Sequence, residues 1–229
     1  MIRQILSVLV LAAAAAWSQD AGAVRTALGE RISEIKQSIG KNQAQLRKYT
    51  WTETTEIALK GEDKKRSQAD CKYGPDGKVQ KTPIGAAPPP AKKGRVRSKI
   101  AGNKVSEMKD YMDRVGSLIR RYVPPDPQDM QASFQAGKAT LNPGAAQLAF
   151  TDYSKPGDKV TITFDPATRK IRSFVVATYL DDQKDAVTLN ASFNSLPDGT
   201  NYVETTVLNA TAKEIQVKTT TSEYRKAGG

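Results

Sequence analysis

The sequence contains no histidine and only one cysteine, Cys71. Histidine is the commonest general base near neutral pH and the commonest metal ligand in proteins. Its absence excludes Ser-His-Asp and Cys-His nucleophilic sites as well as histidine-containing zinc sites. One cysteine cannot form an intramolecular disulfide or a thiolate-rich metal site, and we interpret Cys71 as a small buried apolar residue rather than a reactive thiol. The catalytic chemistries that remain open are carboxylate pairs, Ser–Lys pairs and oxygen-ligated metals.

The sequence also lacks an apolar run long enough to span a bilayer, which takes roughly 20 residues. The longest such run is Ile5 to Ala16, and a cationic start precedes it. Small-residue cleavage patterns follow, with cuts expected after Ser18 or after Ala23, and this layout is typical of a secretory signal peptide. We therefore predict that residues 1–23 are cleaved. Residues 24–229 should form one soluble domain that is periplasmic or secreted, without a lipid anchor because no cysteine lies near the cut.

Acidic residues are fewer than basic ones, and the net charge of the chain is +11. A basic exported protein is drawn to anionic headgroups or acidic partners. Five of the 35 basic residues lie in segment 85–103, which also contains three consecutive prolines and is predicted to be an extended, mobile loop. We favour a solvated linker, with contact to an anionic membrane surface as the alternative, and the residues for that contact are Lys92, Lys93, Arg95, Arg97 and Lys99. The segment has no aromatic residue to stack on bases, so we expect no nucleic-acid partner.

Hydrophobic periodicity predicts a helix followed by a three-stranded meander in the first part of the mature chain. Apolar residues recur at helical spacing over Val24–Lys48. Alternating threonine and aromatic residues then predict strands over Tyr49–Leu59, Lys65–Tyr73 and Val79–Ile84.

Two further helices and a long antiparallel run are predicted in the remainder. The first helix covers Val105–Tyr122, and a shorter one starts after Asp126 and ends near Gly137. About six strands between Leu148 and Tyr224 are joined by short turns, so they should be antiparallel neighbours. The sequence therefore predicts an α+β domain with one strongly curved antiparallel sheet or half-barrel.

This order of elements, together with several short segments, resembles the LolA/LolB superfamily of periplasmic lipoprotein-sorting carriers. The segments are Tyr49-Thr-Trp51-Thr-Glu53-Thr, Gly157-Asp158-Lys-Val160-Thr-Ile162, Leu196-Pro197-Asp198-Gly199-Thr-Asn-Tyr202 and the ending from Lys213 to Arg225. The resemblance implies an open half-barrel whose concave side is covered by amphipathic helices. It also implies an apolar cavity that holds acyl chains without ATP, metal or covalent chemistry, and hence no cofactor.

On this hypothesis the protein is a monomeric carrier that buries a lipid or lipoprotein acyl chain between the sheet and the helix at 104–122. Each buried methylene would contribute about 0.8 kcal/mol. The predicted cavity residues come from strands and from that helix, and they are Tyr49, Trp51, Met108, Met112, Ile119, Phe164 and Val175. The aromatic residues could equally belong to the core.

Two other classes of function stay open. The first is a non-catalytic envelope adaptor that holds a partner through the sheet edge or the basic loop. The second is a hydrolase, because Ser106 and Lys109 have the Ser-x-x-Lys spacing of serine acyl-enzymes, although the accompanying motifs are missing. The aspartates of segment 181–185 lack a calcium-loop pattern, so we expect a polar hairpin turn there and no metal.

Overall fold

The computed structural model describes the backbone of residues 5–85 and 95–227. The side chains in these ranges are described except at 5–22, 24, 25, 31 and 95–105. The helices are α1 (Ile5–Leu46), α2 (Arg95–Ile119) and α3 (Pro127–Gln135), with a 3-10 turn at Thr211–Lys213. The strands are β1 (Tyr49–Leu59), β2 (Glu62–Tyr73), β3 (Val79–Ile84), β4 (Ala139–Asn142), β5 (Gln147–Thr151), β6 (Lys159–Phe164), β7 (Ile171–Tyr179), β8 (Ala186–Ser195), β9 (Asn201–Ala210) and β10 (Ile215–Lys226).

All ten strands form one antiparallel sheet in the order β3-β2-β1-β10-β9-β8-β7-β6-β5-β4. The sheet is not closed, and β3 and β4 are its two edges. Consecutive strands are neighbours except for β3 and β4, which lie at opposite edges. The first and last strands, β1 and β10, are joined instead, and Ile57 pairs with Val217. The domain is therefore α+β with an open sheet, as the sequence predicts.

The helical insertion covers one face of the sheet because it connects the two edges. Nine strand spacings of about 4.8 Å separate β3 from β4, a distance of roughly 43 Å. The 25 residues of α2 span about 37 Å, and Tyr111, Val115 and Leu118 of this helix pack in the core against the sheet. Asp126 caps α3, accepting a 2.7 Å hydrogen bond from the backbone N–H of Gln128.

The hydrophobic core lies between the helices and the strands from β5 to β8. Alternation buries Val160, Ile162 and Phe164 of β6, whose intervening threonines are only half-buried. The helices contribute residues at helical spacing, which are Leu28, Ile32, Ile35, Tyr111, Val115 and Leu118. The apolar faces predicted from periodicity are thus the faces that pack.

A buried polar contact fixes the segment that follows α2. The carboxylate of Asp158 accepts a 2.6 Å hydrogen bond from the hydroxyl of Tyr122, and both side chains are buried. The same carboxylate accepts hydrogen bonds of 2.5–3.0 Å from the backbone N–H groups of residues 153–155. The Tyr122 hydroxyl also lies 2.9 Å from Thr178 Oγ1 on β7. These bonds hold the end of the helical layer against the sheet.

The three N-terminal strands and the C-terminal antiparallel run are confirmed, whereas one prediction is wrong and one strand was missed. The predicted loop 85–103 is helical from Arg95 onward, because no proline occurs between residues 95 and 119 and the arginine, lysine and alanine residues favour a helix. Strand β4 was not predicted, since four residues with two polar side chains give no clear alternation. Over the described ranges, no helix is apolar over enough residues to cross a bilayer.

Candidate functional site

A groove of about 890 Å³ lies beside the helical layer, over the strands from β3 to β9. We call it the aromatic groove. Threonines of β9 and β10 form a polar strip, and the apolar and aromatic lining consists of Leu46, Trp51, Tyr73, Val79, Val123, Val203 and Tyr224. Leu46 ends α1 and Val123 follows α2, so the helical layer forms one border of the groove.

Tyr224 is the centre of a cluster of five aromatic side chains at this site. Its ring stacks on Trp51 with centroids 5.7 Å apart and an interplanar angle of 15°. Tyr202 lies 4.5 Å and Tyr49 lies 6.4 Å from the Tyr224 centroid, and Tyr73 lies 5.4 Å from that of Trp51. Each such pair adds about 0.5–1.5 kcal/mol beyond the burial of its area. The cluster therefore makes the wall of the groove stiff.

A β-bulge in β10 brings Tyr224 to the groove. Thr50 pairs with Arg225 and Thr52 pairs with Ser222, so two residues of β10 oppose the single residue Trp51. The bulge residue Glu223 has φ 54, a left-handed conformation that is unfavourable for a side chain larger than glycine. Its carboxylate accepts a 3.0 Å hydrogen bond from the hydroxyl of Thr52, which offsets part of that cost.

The hydroxyl of Tyr49 anchors the cluster to the turn between β8 and β9. It donates a 2.6 Å hydrogen bond to the carboxylate of Asp198. This bond and donation from Thr200 lower the pKa of Asp198 to about 2. Burial raises the pKa of Tyr224 to about 12 and also raises the pKa of Tyr73. At neutral pH the groove wall is thus uncharged, whereas its anchor is ionised.

Charged side chains lie around the apolar part of the groove. Glu53 is the one carboxylate in the lining, and it forms an ion pair with Lys81 of β3. Lys78 and Arg120 also line the groove, and neither has an ion-pair partner among the described residues. Among the described side chains, the Arg120 guanidinium donates a hydrogen bond to the hydroxyl of Ser117, at 2.7 Å. The rim therefore carries a net positive charge.

The structure does not bring the seven predicted cavity residues together. Trp51 lines the aromatic groove and Tyr49 contacts its wall through Tyr224. Phe164 is buried in the main core, where it borders a separate cavity of about 240 Å³. The three helical residues pack half-buried against the same core, and they are Met108, Met112 and Ile119. Val175 alternates with the buried Phe174 and lies on the opposite face of the sheet.

The predicted anionic-surface residues fall at the start of α2 or before it. Arg95, Arg97 and Lys99 belong to the helix, although their side chains are not described. Lys92 and Lys93 lie outside the described residues.

Other candidate residues occupy separate positions. Ser106 and Lys109 are both exposed on α2. Cys71 is buried on β2 opposite Trp51, with its Sγ 3.7 Å from the carbonyl oxygen of Ala69. Burial raises the pKa of the Cys71 thiol, which keeps it protonated at neutral pH.

The aspartates of segment 181–185 form the polar hairpin turn that the sequence predicts. Asp181 forms an ion pair with Arg114, and Asp185 accepts a 2.7 Å hydrogen bond from the hydroxyl of Tyr111. Asp182 accepts a hydrogen bond from the backbone N–H of residue 184. Each carboxylate thus has a structural partner that joins the turn to α2 or to itself. Within the described ranges, no group of three or more potential ligands is arranged to hold a metal ion.

Sequence reasoning missed the groove residues Val79, Val123 and Tyr224. The sequence could have indicated Val79 and Val123, because each is an apolar residue beside a turn or a proline pair, where polar residues are usual. Nothing in the sequence indicated Tyr224, since its orientation depends on the bulge at Glu223. Comparisons with protein-family models, with curated proteins and with solved structures found no match to this chain.

Proposed function

We propose that this protein is an exported carrier or binder of acyl chains, with a LolA-like half-barrel fold, and that the aromatic groove is its binding site. The observation that carries the proposal is a groove of about 890 Å³ lined by aromatic and aliphatic side chains. Sites for small molecules are mostly apolar and have volumes of about 300–1,000 Å³. The groove therefore has both the size and the lining that an acyl chain requires.

Exposed apolar side chains support the same assignment. Val79 and Val123 are 39% and 40% exposed, and both line the groove. Soluble proteins leave such side chains in contact with water at a cost, and clusters of them mark interaction sites. An acyl chain in the groove would cover both valines together with the faces of the tyrosines.

The energetics favour reversible binding. Burial of about eight methylenes contributes roughly 6 kcal/mol, at about 0.8 kcal/mol each. Association costs at least about 4 kcal/mol in lost translational and rotational freedom. The difference leaves a small net binding free energy, to which contacts with the aromatic wall add. The complex would therefore be weak enough to release its ligand, as a carrier must.

Intrinsic fluorescence provides the test. The chain has two tryptophans, Trp17 and Trp51, so a Trp17→Phe variant reports on the groove alone. Titration with a monomeric long-chain fatty acid should change the Trp51 emission and saturate. Val79→Asp should weaken binding about tenfold, which is 1.4 kcal/mol, because a buried charge would replace an apolar contact.

Ile84→Asp is the matched control for this variant. Ile84 lies on the same strand and is 45% exposed, but it is five residues from Val79 and therefore on the opposite face. The control should bind the fatty acid as the parent does. Absence of any saturable change in Trp51 emission, or equal loss in both variants, would refute the proposal that the groove holds the chain.

A second candidate function is the adaptor, and the edge strand β3 favours it. All six residues of β3 are exposed, and its outer edge pairs with no strand in the described part of the chain. Such an edge can accept a strand from a partner. Deletion of residues 86–102, which follow β3 in the sequence, separates the two functions. A carrier should keep its ligand after the deletion, whereas an adaptor that uses the basic segment should lose its partner.

A further inference from the structure

We propose that the ligand of the aromatic groove is an anionic amphiphile whose negatively charged headgroup binds between Lys78 and Arg120. This inference rests on the proposed function, because it names the chemical class of molecule that the groove would carry. The apolar wall sets the preference for the chain, and the two cations set the preference for the head.

The two cations differ from the third one in the lining. Lys81 is neutralised by Glu53, the single carboxylate of the groove. Lys78 and Arg120 have no carboxylate partner within the described residues, so their charges are available to a ligand. Three cations and one carboxylate leave an excess of positive charge where the headgroup would lie.

Each of these cations is adjacent to one of the exposed valines. Lys78 precedes Val79 at the start of β3, and Arg120 lies three residues before Val123 in the segment after α2. The groove is thus bordered on two sides by an apolar side chain next to a free cation. A molecule with an acyl chain and a negative head matches this arrangement, whereas a purely apolar ligand would leave the cations unused.

Hydrogen bonds fix the backbone from which both cationic side chains extend. In the turn before β3, the backbone N–H of Lys78 donates a 3.1 Å hydrogen bond to the Asp76 carboxylate, and its carbonyl accepts one of 2.7 Å from Gly74. The backbone N–H of Arg120 donates a 3.1 Å hydrogen bond to the carbonyl of Gly116. The Arg120 guanidinium has five N–H donors and uses one side of the fork for Ser117, so donors remain for a carboxylate or a phosphate.

The aromatic wall carries no negative charge that would repel an anionic headgroup. Tyr224 and Tyr73 keep their protons at neutral pH because burial raises the pKa of both phenols. No phenolate therefore repels the head. The Tyr224 hydroxyl already donates its proton to Thr221 Oγ1 at 3.3 Å, so the two cations remain the donors for the head.

The test compares two lysophospholipids with the same myristoyl chain and different heads. Lysophosphatidylglycerol carries one negative charge, and lysophosphatidylcholine is neutral overall. Both are titrated below their critical micelle concentrations into the full-length Trp17→Phe protein, with Trp51 emission as the readout. We expect about tenfold tighter binding of the anionic lipid. This ratio should fall as salt is raised from roughly 0.01 to 1 M, because the Debye length shrinks from about 30 to 3 Å.

Substitution of both cations should remove this preference and leave the binding of the chain intact. In the double variant Lys78→Gln with Arg120→Gln, the two lipids should bind equally, and the affinity for lysophosphatidylcholine should stay within about twofold of the parent. The matched control combines Lys65→Gln with Arg121→Gln. These residues are also exposed, and the two substitutions remove the same amount of charge, but both positions lie outside the groove lining. The tenfold ratio of lipid affinities should therefore persist.

The outcomes separate this inference from the proposed function. If neither lipid binds the parent protein, both the proposed function and the inference fail. If both lipids bind the parent equally, or if the double variant keeps the tenfold ratio, only the headgroup inference fails. Since both side chains are on the surface, the double variant should fold, and an unchanged urea midpoint verifies this. The single variant Lys78→Glu should reduce the ratio further than Lys78→Gln does.

Discussion

Replacement of Tyr122 by phenylalanine tests whether the buried contact with Asp158 stabilises the fold. The change removes one oxygen and keeps the ring, so packing in the core is nearly unaltered. The hydroxyl is lost at a site where Tyr122 is fully buried and Asp158 is 2% exposed. No water would easily take its place.

The size of the effect follows from the hydrogen bonds that are lost and kept. The 2.6 Å bond to a carboxylate belongs to the class that contributes about 1.5–3 kcal/mol. The carboxylate keeps three backbone N–H donors, so it is not left without partners. Thr178 loses its contact with the hydroxyl. We therefore expect Tyr122→Phe to lower the free energy of unfolding by about 2 kcal/mol.

Urea denaturation of the purified protein measures this loss, and Tyr179→Phe is the matched control. The Tyr179 hydroxyl donates a 2.8 Å hydrogen bond to the carbonyl of Pro156, in the same loop, but in an exposed position. Water can replace that bond, so the control should lose less than about 1 kcal/mol. Both variants should keep the slope of the parent with denaturant, because neither changes the surface exposed on unfolding.

The reasoning would be refuted if the two variants lost equal stability, or if Tyr122→Phe lost less than about 0.5 kcal/mol, the range typical of surface substitutions. Either result would mean that the Asp158 carboxylate is held by the backbone of residues 153–155 alone. Tyr122 would then contribute only its ring to the position of the neighbouring Val123 in the groove.

Two other predictions concern turns. The pKa of Asp198 is about 2 in the folded protein and about 3.9 in an unfolded chain. Its stabilisation is therefore complete above about pH 4 and is lost as the pH falls through about 2, so Asp198→Asn should flatten this decline in the urea midpoint. Were the slope unchanged, other carboxylates would be responsible. Lys60 has φ 55 in the two-residue turn between β1 and β2. Lys60→Asn should raise the free energy of unfolding by about 0.5 kcal/mol, since asparagine suits this conformation, and a loss of stability would contradict the turn assignment.

The strands were largely predictable because their alternation reflects burial on one face. Val187, Leu189 and Ala191 of β8 alternate with polar residues in the sequence, and the same three residues are buried in the structure. The C-terminal strands follow each other through short turns, so their antiparallel pairing follows from chain connectivity. The pairing of β1 with β10 could not be predicted from chain connectivity, because most of the chain lies between the two strands.

The candidate site was only partly predictable because it depends on irregular backbone. Without the bulge at Glu223, alternation along β10 would place Tyr224 on the face opposite Ile215. One inserted residue reverses the orientation of everything that follows it, and no side-chain pattern in the sequence marks the insertion. Trp51 was identified because the extra residue of the bulge is on β10 and the alternation along β1 is undisturbed. Its stacking partner Tyr224, which follows the bulge, was not identified.

The pairing of β10 with β1 also determines when the aromatic groove can form. Strands β1 to β3 contact the remainder of the sheet only through β10, which is the last strand of the chain. Loop-closure entropy must be overcome before a contact between such distant segments stabilises the fold, so this ladder should form late in folding. Removal of residues 215–226 would delete both Tyr224 and the strand that joins the two halves of the groove. The aromatic groove is therefore complete only after β10 has paired with β1.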